Sequence, residues 1–175
     1  MSCLTQISNM DTKIIIYYSY FQSLLTYNII LWGNSTDWHD IFKVQKKFIR
    51  IMTNANRRES RKTIFTKLNI MTFPSLYIYE LMKYVKRNKD FFINMKFYHN
   101  YKTRNKEKLL MLPTHRLNLY EKSPLFMGIK LCNKLGVDII MKISDQLLKD
   151  CKKILINKEY YTIEEFFEDN TFFDF

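Results

Sequence analysis

Apolar side chains recur along this chain with helical spacing, and Ser, Thr and Pro, more than glycine, punctuate the periodic stretches. The spacing predicts a buried helix over roughly Asp11 to Leu31, with Gly33 ending it as a C-terminal glycine. A second helix is predicted from about Asp37 to Met52, capped by Ser35 or Thr36. Its apolar positions are Ile41, Val44, Phe48, Ile49 and Met52, with Lys43, Lys46, Lys47 and Arg50 on the other faces. The polar stretch Thr53 to Lys62 reads as a loop, and Ser60 can cap a short helix to Leu68. Thr72, with Pro74 in the first turn, starts a longer helix to about Asn88. Periodicity fails from Asn94 to Pro113. It returns at Ser123-Pro124, which opens a helix through Phe126 to Leu135, and again at Ser144, which caps one to about Ile156. Thr162 and Glu165 form a capping box ahead of Phe166 and Phe167.

Only three Gly and three Pro occur among 175 residues, of which 47% are apolar. That is too few turn residues for a β-sandwich or a nucleotide-binding α/β fold, and enough apolar mass for a real core. The expected fold class is all-α: a small multi-helix bundle over 1–93, a basic connector loop over 94–122, and a small C-terminal helical unit over 123–175. No internal repeat or heptad run is evident.

Charge then changes the picture. The net charge is +11, yet Glu159 to Phe175 hold six of the 17 acids and no base, so residues 1–158 carry 28 bases against 11 acids. A polyanion is the first partner to consider. AT-rich coding composition enriches Lys as well as Asn, Ile, Tyr and Phe, so charge alone does not decide the matter. Two clusters concentrate the bases. Lys43 to Lys67 holds nine bases and one acid; Lys83 to Lys108 holds nine bases and two acids, interleaved with aromatics. Lys and Arg neutralise phosphates and exposed aromatics stack on bases. Phe91, Phe92 and Phe97 are assigned to the core. The candidate nucleic-acid contacts are Lys43, Lys46, Lys47, Arg50, Arg57, Arg58, Arg61 and Lys62, with Tyr101, Arg104, Lys106 and Lys108 as a second patch.

Catalytic chemistry finds no foothold. Nucleotidyl transfer needs paired carboxylates to hold two metal ions, and no Tyr-x-Asp-Asp turn exists. Asp37 and Asp40 read as a helix start, and Glu164, Glu165, Glu168 and Asp169 as a solvated turn. His39, His99 and His115 lie far apart with no Cys at ligand spacing, so no zinc site or other cofactor is expected. No Gly-rich phosphate loop and no activated nucleophile is present. Residues 14–32 are uncharged, which raises a membrane span as an alternative. Ser19, Gln22, Ser23 and Thr26 interrupt them with a polar stripe, so a membrane is not the expected partner. Cys3, Cys132 and Cys151 are odd in number and form no CxxC pair, and Met1 to Gln6 do not read as a secretory start. An intracellular location is expected, with nucleus or cytoplasm left open.

Six segments together carry a resemblance. The stretch from Tyr17 to Gly33, with Tyr27 and Trp32, resembles the helix that follows the polymerase palm in jockey-type non-LTR retrotransposon reverse transcriptases. Gln45-Lys46-x-x-Ile49-Arg50 is similar to that family's Q-K-x-x-I-R helix, and Lys67 to Ile70 with Pro74 to Leu81 to its next element. His99-x-Tyr101-Lys102-Thr103-Arg104 resembles an H-x-Y-N-T-R loop. Ser123, Gly128, Asn133 and Leu135 match S-x-x-x-x-G-x-x-x-x-N-x-L, and Tyr160 to Phe166 resemble a closing Y-S-x-x-E-F. Asn28 stands where glycine is common, Lys102 where asparagine is common, and Gly136 where proline is common. The likeness spans roughly Lys13 to Phe167. It implies a thumb and C-terminal extension: a helical unit that closes over template–primer duplex, with the polymerase and endonuclease in a neighbouring, upstream part. The implied partner is RNA or an RNA–DNA hybrid, bound by its phosphates without base reading. The implied chain is not an enzyme on its own. A helical module for protein partners is the alternative.

Overall fold

The computed structural model describes residues 9–54, 61–94, 109–136, 139 and 142–172, with 61–63 described as backbone alone. Among them the secondary structure is helical, with no strand. The all-α expectation therefore holds.

The most buried element is α6 (Phe73–Arg87), around which the others pack. Its N-cap Thr72 accepts a hydrogen bond from the Ser75 amide, and Pro74 occupies the first turn, where no amide donor is needed. From Phe73 to Ile78 every residue is buried. Helix α10 (Asp145–Lys158) runs antiparallel to it. At one end Lys86 pairs with Asp145. At the other the Ser75 hydroxyl donates to the Leu155 carbonyl at 3.3 Å, and Thr72 donates to the Tyr160 carbonyl. Helix α9 (Pro124–Leu135) crosses α6 at Gly128. A Cβ there would sit 2.7 Å from Phe92 Cζ and 3.5 Å from Val85 Cγ2, so the missing side chain is what lets the Phe92 ring in. Ser123 and Ser144 cap α9 and α10 through the Phe126 and Leu147 amides. Helix α11 (Ile163–Glu168) opens with the expected Thr162–Glu165 capping box.

On the other side of α6 stands α4 (Trp38–Thr53), which buries Trp38, Phe42, Gln45, Ile49 and Met52. Short α5 (Arg61–Lys67) follows, with Ile64 and Phe65 buried. Helix α7 (Lys89–Asn94) extends α6 after a turn at Asn88, and α8 (Asn118–Glu121) is one turn inside the expected connector. One hydrophobic core runs from Tyr17 to Phe172, so α6 and the helices α9–α11 bury their apolar faces together.

The N-terminal segment departs from the single buried helix expected. It is α1 (Met10–Ile16), a π-helical turn over Tyr17–Gln22, α2 (Ser23–Thr26), and then α3 (Ile29–Trp32). Lys13, Tyr17, Leu25 and Ile29 are buried and Phe21 is partly so, a period of four residues. An α-helix of 3.6 residues per turn drifts away from such a line, and the wider π turn restores it. Asn28 breaks the run with φ 49°, a left-handed conformation that asparagine tolerates and glycine favours. Off this line, Ile15, Tyr20, Leu24, Tyr27 and Leu31 stand in solvent.

Other local readings change too. Gly33 does end the helix, as the C-cap of α3, but it is right-handed (φ −66°) and is required for close approach, since a Cβ would lie 2.6 Å from both the Ile29 carbonyl oxygen and Tyr77 Cδ2. Neither Ser35 nor Thr36 caps α4: the N-cap position is Asp37, without a side-chain bond to the helix. Val44 is exposed and polar Gln45 takes the buried position. Phe92 is core, but Phe91 is half exposed, because the short α7 turns only one ring toward Gly128. Phe97 lies outside the described residues.

Candidate nucleic-acid interface

Helix α4 positions the described part of the first basic cluster. Its buried face fixes its rotation, so Lys43 and Lys47, one turn apart, point to solvent. Lys43 Nζ lies 2.7 Å from Asp40 Oδ1, with both side chains more than two-thirds exposed. That neighbouring ammonium holds the Asp40 carboxyl below its usual range. Exposed pairs of this kind are weak and readily exchanged for another anion.

The other two described candidates are tied into the fold. Lys46 Nζ sits 4.1 Å from the Phe42 ring centroid and 5.8 Å from that of Tyr161, a cation–π seat joining α4 to the start of α11. Arg50 is half-buried, and its Nε is a buried donor without a hydrogen-bond partner. The structure thus brings Lys43 and Lys47 together on an open surface and turns Lys46 and Arg50 partly toward the body. Arg57, Arg58, Tyr101, Arg104, Lys106 and Lys108 lie outside the described residues, as do the side chains of Arg61 and Lys62.

Sequence reasoning passed over exposed bases outside the two clusters. Lys149 and Lys153 lie exposed on α10, and Arg116 in the segment before α8. They were hidden because Asp145 and Asp150 alternate with the α10 lysines and dilute any run of charge. Lys153 is itself paired with Asp150 at 3.3 Å.

The residues that carry the family resemblance mostly hold the fold together. Gln45, fully buried, donates from Nε2 to the Tyr17 hydroxyl at 2.8 Å and to the Met71 carbonyl at 3.0 Å. It thereby ties α4 to the π turn and to the entry of α6. Asn133 grips the extended segment before α8 from both sides: Leu110 N–H donates to Oδ1 at 2.7 Å, and Nδ2 donates to the Leu110 carbonyl at 2.9 Å. Gly128 admits Phe92, and Thr162 and Glu165 cap α11.

Titratable groups elsewhere serve packing. Asp169, expected to be solvated, instead accepts from Lys158 Nζ at 2.7 Å and from the Tyr160 hydroxyl, and Thr171 bonds its other oxygen. Lys158 first, then Tyr160, hold its carboxyl well below the usual range. Burial pushes the Cys132 thiol up to about 12 and Cys151 up to about 11, the range of inert thiols. His115 bonds the Pro113 carbonyl oxygen at 3.2 Å and Glu121 Oε1 at 2.9 Å, and these two partners raise its pKa. His39 stacks on Trp38. Among the described residues no group of three His, Cys, Asp or Glu side chains is placed to hold a metal ion. No helix among them is long and apolar enough to cross a membrane.

An open cleft of about 460 Å³ lies between α8, α9 and α11. Its charged rim mixes Glu121, Glu164 and Glu168 with Lys122 and Lys130, so it offers no single-sign field to a charged ligand.

Comparison with known proteins returns no matching family model, no matching curated protein and no matching solved structure.

Proposed function

We propose that this chain grips nucleic acid through backbone phosphates, as a non-catalytic accessory portion of an RNA-directed DNA polymerase. The observation that carries the reading is the outward ridge of Lys43 and Lys47 on α4, a helix locked in rotation by its buried face, in a chain of net charge +11. Two point charges one helical turn apart suit successive phosphates and carry no donor pattern that would read bases. The resemblance to jockey-type reverse transcriptases supplies the class of polymer, an RNA or RNA–DNA hybrid, and the neighbouring polymerase as the partner that makes bonds. Lys46 and Arg50 contribute field and hold the ridge in place more than they reach a ligand.

The test is a binding assay with a fluorescent RNA–DNA hybrid, comparing the chain with a Lys43→Glu/Lys47→Glu variant. Both positions are exposed, so circular dichroism should be unchanged while affinity falls by at least about tenfold. Equal affinity of the two folded proteins would reject the reading. A second reading, a helical module for protein partners, is favoured by one observation: the apolar side chains of Leu24 and Tyr27 stand in solvent.

A further inference from the structure

The N-terminal helices carry a surface that the phosphate reading leaves unused. Ile15, Tyr20, Leu24, Tyr27 and Leu31 are each 64–75% exposed. Ile15 and Tyr27 fall opposite the buried line of Lys13, Tyr17, Leu25 and Ile29, with Tyr20 and Leu24 on its flank and Leu31 beyond the turn at Asn28. With ~150–250 Å² for a tyrosine side chain and less for leucine or isoleucine, these exposed fractions add to roughly 600 Å² of apolar surface. That is at the top of what a monomer ordinarily leaves in water, and near the ~800 Å² per partner of a standard protein interface.

The polar residues between them do not break the face. Ser23 donates its hydroxyl to the Ser19 and Tyr20 carbonyls at 2.6 and 2.9 Å, and Thr26 donates to the Gln22 and Ser23 carbonyls at 3.0 Å. Ser19, Ser23 and Thr26 of the polar stripe thus turn their hydrogens onto their own helix, leaving small side chains between large ones.

Charge identifies the occupant. From Ile14 to Thr36 the chain has no Asp, Glu, Lys or Arg, while the chain as a whole is +11. A two-fold contact sets each patch against its own copy, so a basic face repels itself and an uncharged apolar one does not. Two copies of so basic a chain can meet over this segment with little electrostatic cost. A lipid surface fits less well, because helices that lie in the membrane interface flank their apolar face with Lys or Arg, and none stands between Ile14 and Thr36. The charged side chains that border the segment at Thr26, Asn28 and Ile30 are Glu80 and Arg87, one of each sign, so an acidic partner finds no net positive charge there.

We propose that the solvent face of the N-terminal helices, centred on Leu24 and Tyr27, is a self-association surface that pairs two copies of this chain.

Sedimentation velocity across a wide range of protein concentration tests it directly. The chain should pass from its 21.4 kDa monomer to a dimer as concentration rises. Leu24→Glu and Tyr27→Lys each place like charges across the two-fold contact and should weaken the dimer by at least about tenfold. Leu119→Glu, at an equally exposed leucine on α8, should leave it unchanged. Because all three positions are exposed, circular dichroism should match the parent chain, and two variants of opposite charge guard against a local folding effect. A monomer at every concentration would overturn the proposal. So would equal weakening by Leu119→Glu, or a monomer that floats with neutral phosphatidylcholine vesicles.

Discussion

Replacing Gln45 with leucine separates a residue that builds the fold from one that touches ligand. The side chain is fully buried and donates to the Tyr17 hydroxyl and to the Met71 carbonyl. Leucine fills a similar volume but leaves both partners without that donor. An orphaned buried polar group costs about 1–3 kcal/mol, so two give roughly 2–6 kcal/mol. Against this, Gln45 Oε1 has no hydrogen-bond partner even in the parent, and removing it together with gaining apolar contact returns about 1–3 kcal/mol. The net expectation is a loss of about 2 kcal/mol. Tyr17→Phe alone removes one ordinary hydrogen bond and should cost about 1 kcal/mol. In the double variant only the Met71 carbonyl is orphaned, so the combined loss should fall short of the sum by about 1–2 kcal/mol. Urea unfolding followed by far-UV circular dichroism, with the four proteins in one cycle, measures each value. Additive losses, or a Gln45→Leu protein as stable as the parent, would refute the reasoning. So would a variant that keeps its stability but loses nucleic-acid affinity.

Gly128→Ala should destabilise by about 1–3 kcal/mol, since its Cβ enters the ring of buried Phe92; Phe92→Leu in the same chain should recover part of that loss in thermal melts. Asn133→Ala should cost about 1–3 kcal/mol and release the segment it grips, read as faster amide exchange or limited proteolysis near Leu110. His115 has a raised pKa in the fold, so its protonated form adds stability below the ordinary histidine range and loses it as pH rises through the raised value. Melting temperature should fall as pH rises through that raised value, and His115→Gln should flatten the slope.

The helices that sequence marked most clearly are those started by local chemistry. Thr72, Ser123, Ser144 and Thr162 each cap the helix predicted from them, because a cap is a bond between a side chain and an amide three residues on and needs no tertiary information. Readings that depend on a distant partner went astray. Gln45 is polar in a position that only the Tyr17 hydroxyl and Met71 carbonyl justify, so periodicity assigned the neighbouring Val44 to the core instead. Gly33 ends its helix as the spacing predicts, but the need for glycine there is plain only with Tyr77 against it. The π turn is visible only in retrospect, as a buried line repeating every four residues. On the candidate interface, spacing alone put Lys43, Lys46, Lys47 and Arg50 on outward faces. It did not reveal that the Phe42 and Tyr161 rings seat Lys46 or that the Arg50 Nε is enclosed, because both depend on packing.

The claim that matters most is that Lys43 and Lys47 meet phosphates by displacing counterions. Affinity for an RNA–DNA hybrid, measured by fluorescence anisotropy over a series of salt concentrations, addresses it most directly. The logarithm of the association constant should fall linearly with the logarithm of salt, and neutralising each lysine to glutamine should lower the steepness by about one unit. Binding that ignores salt, or a slope unchanged when both lysines are neutral, would contradict it.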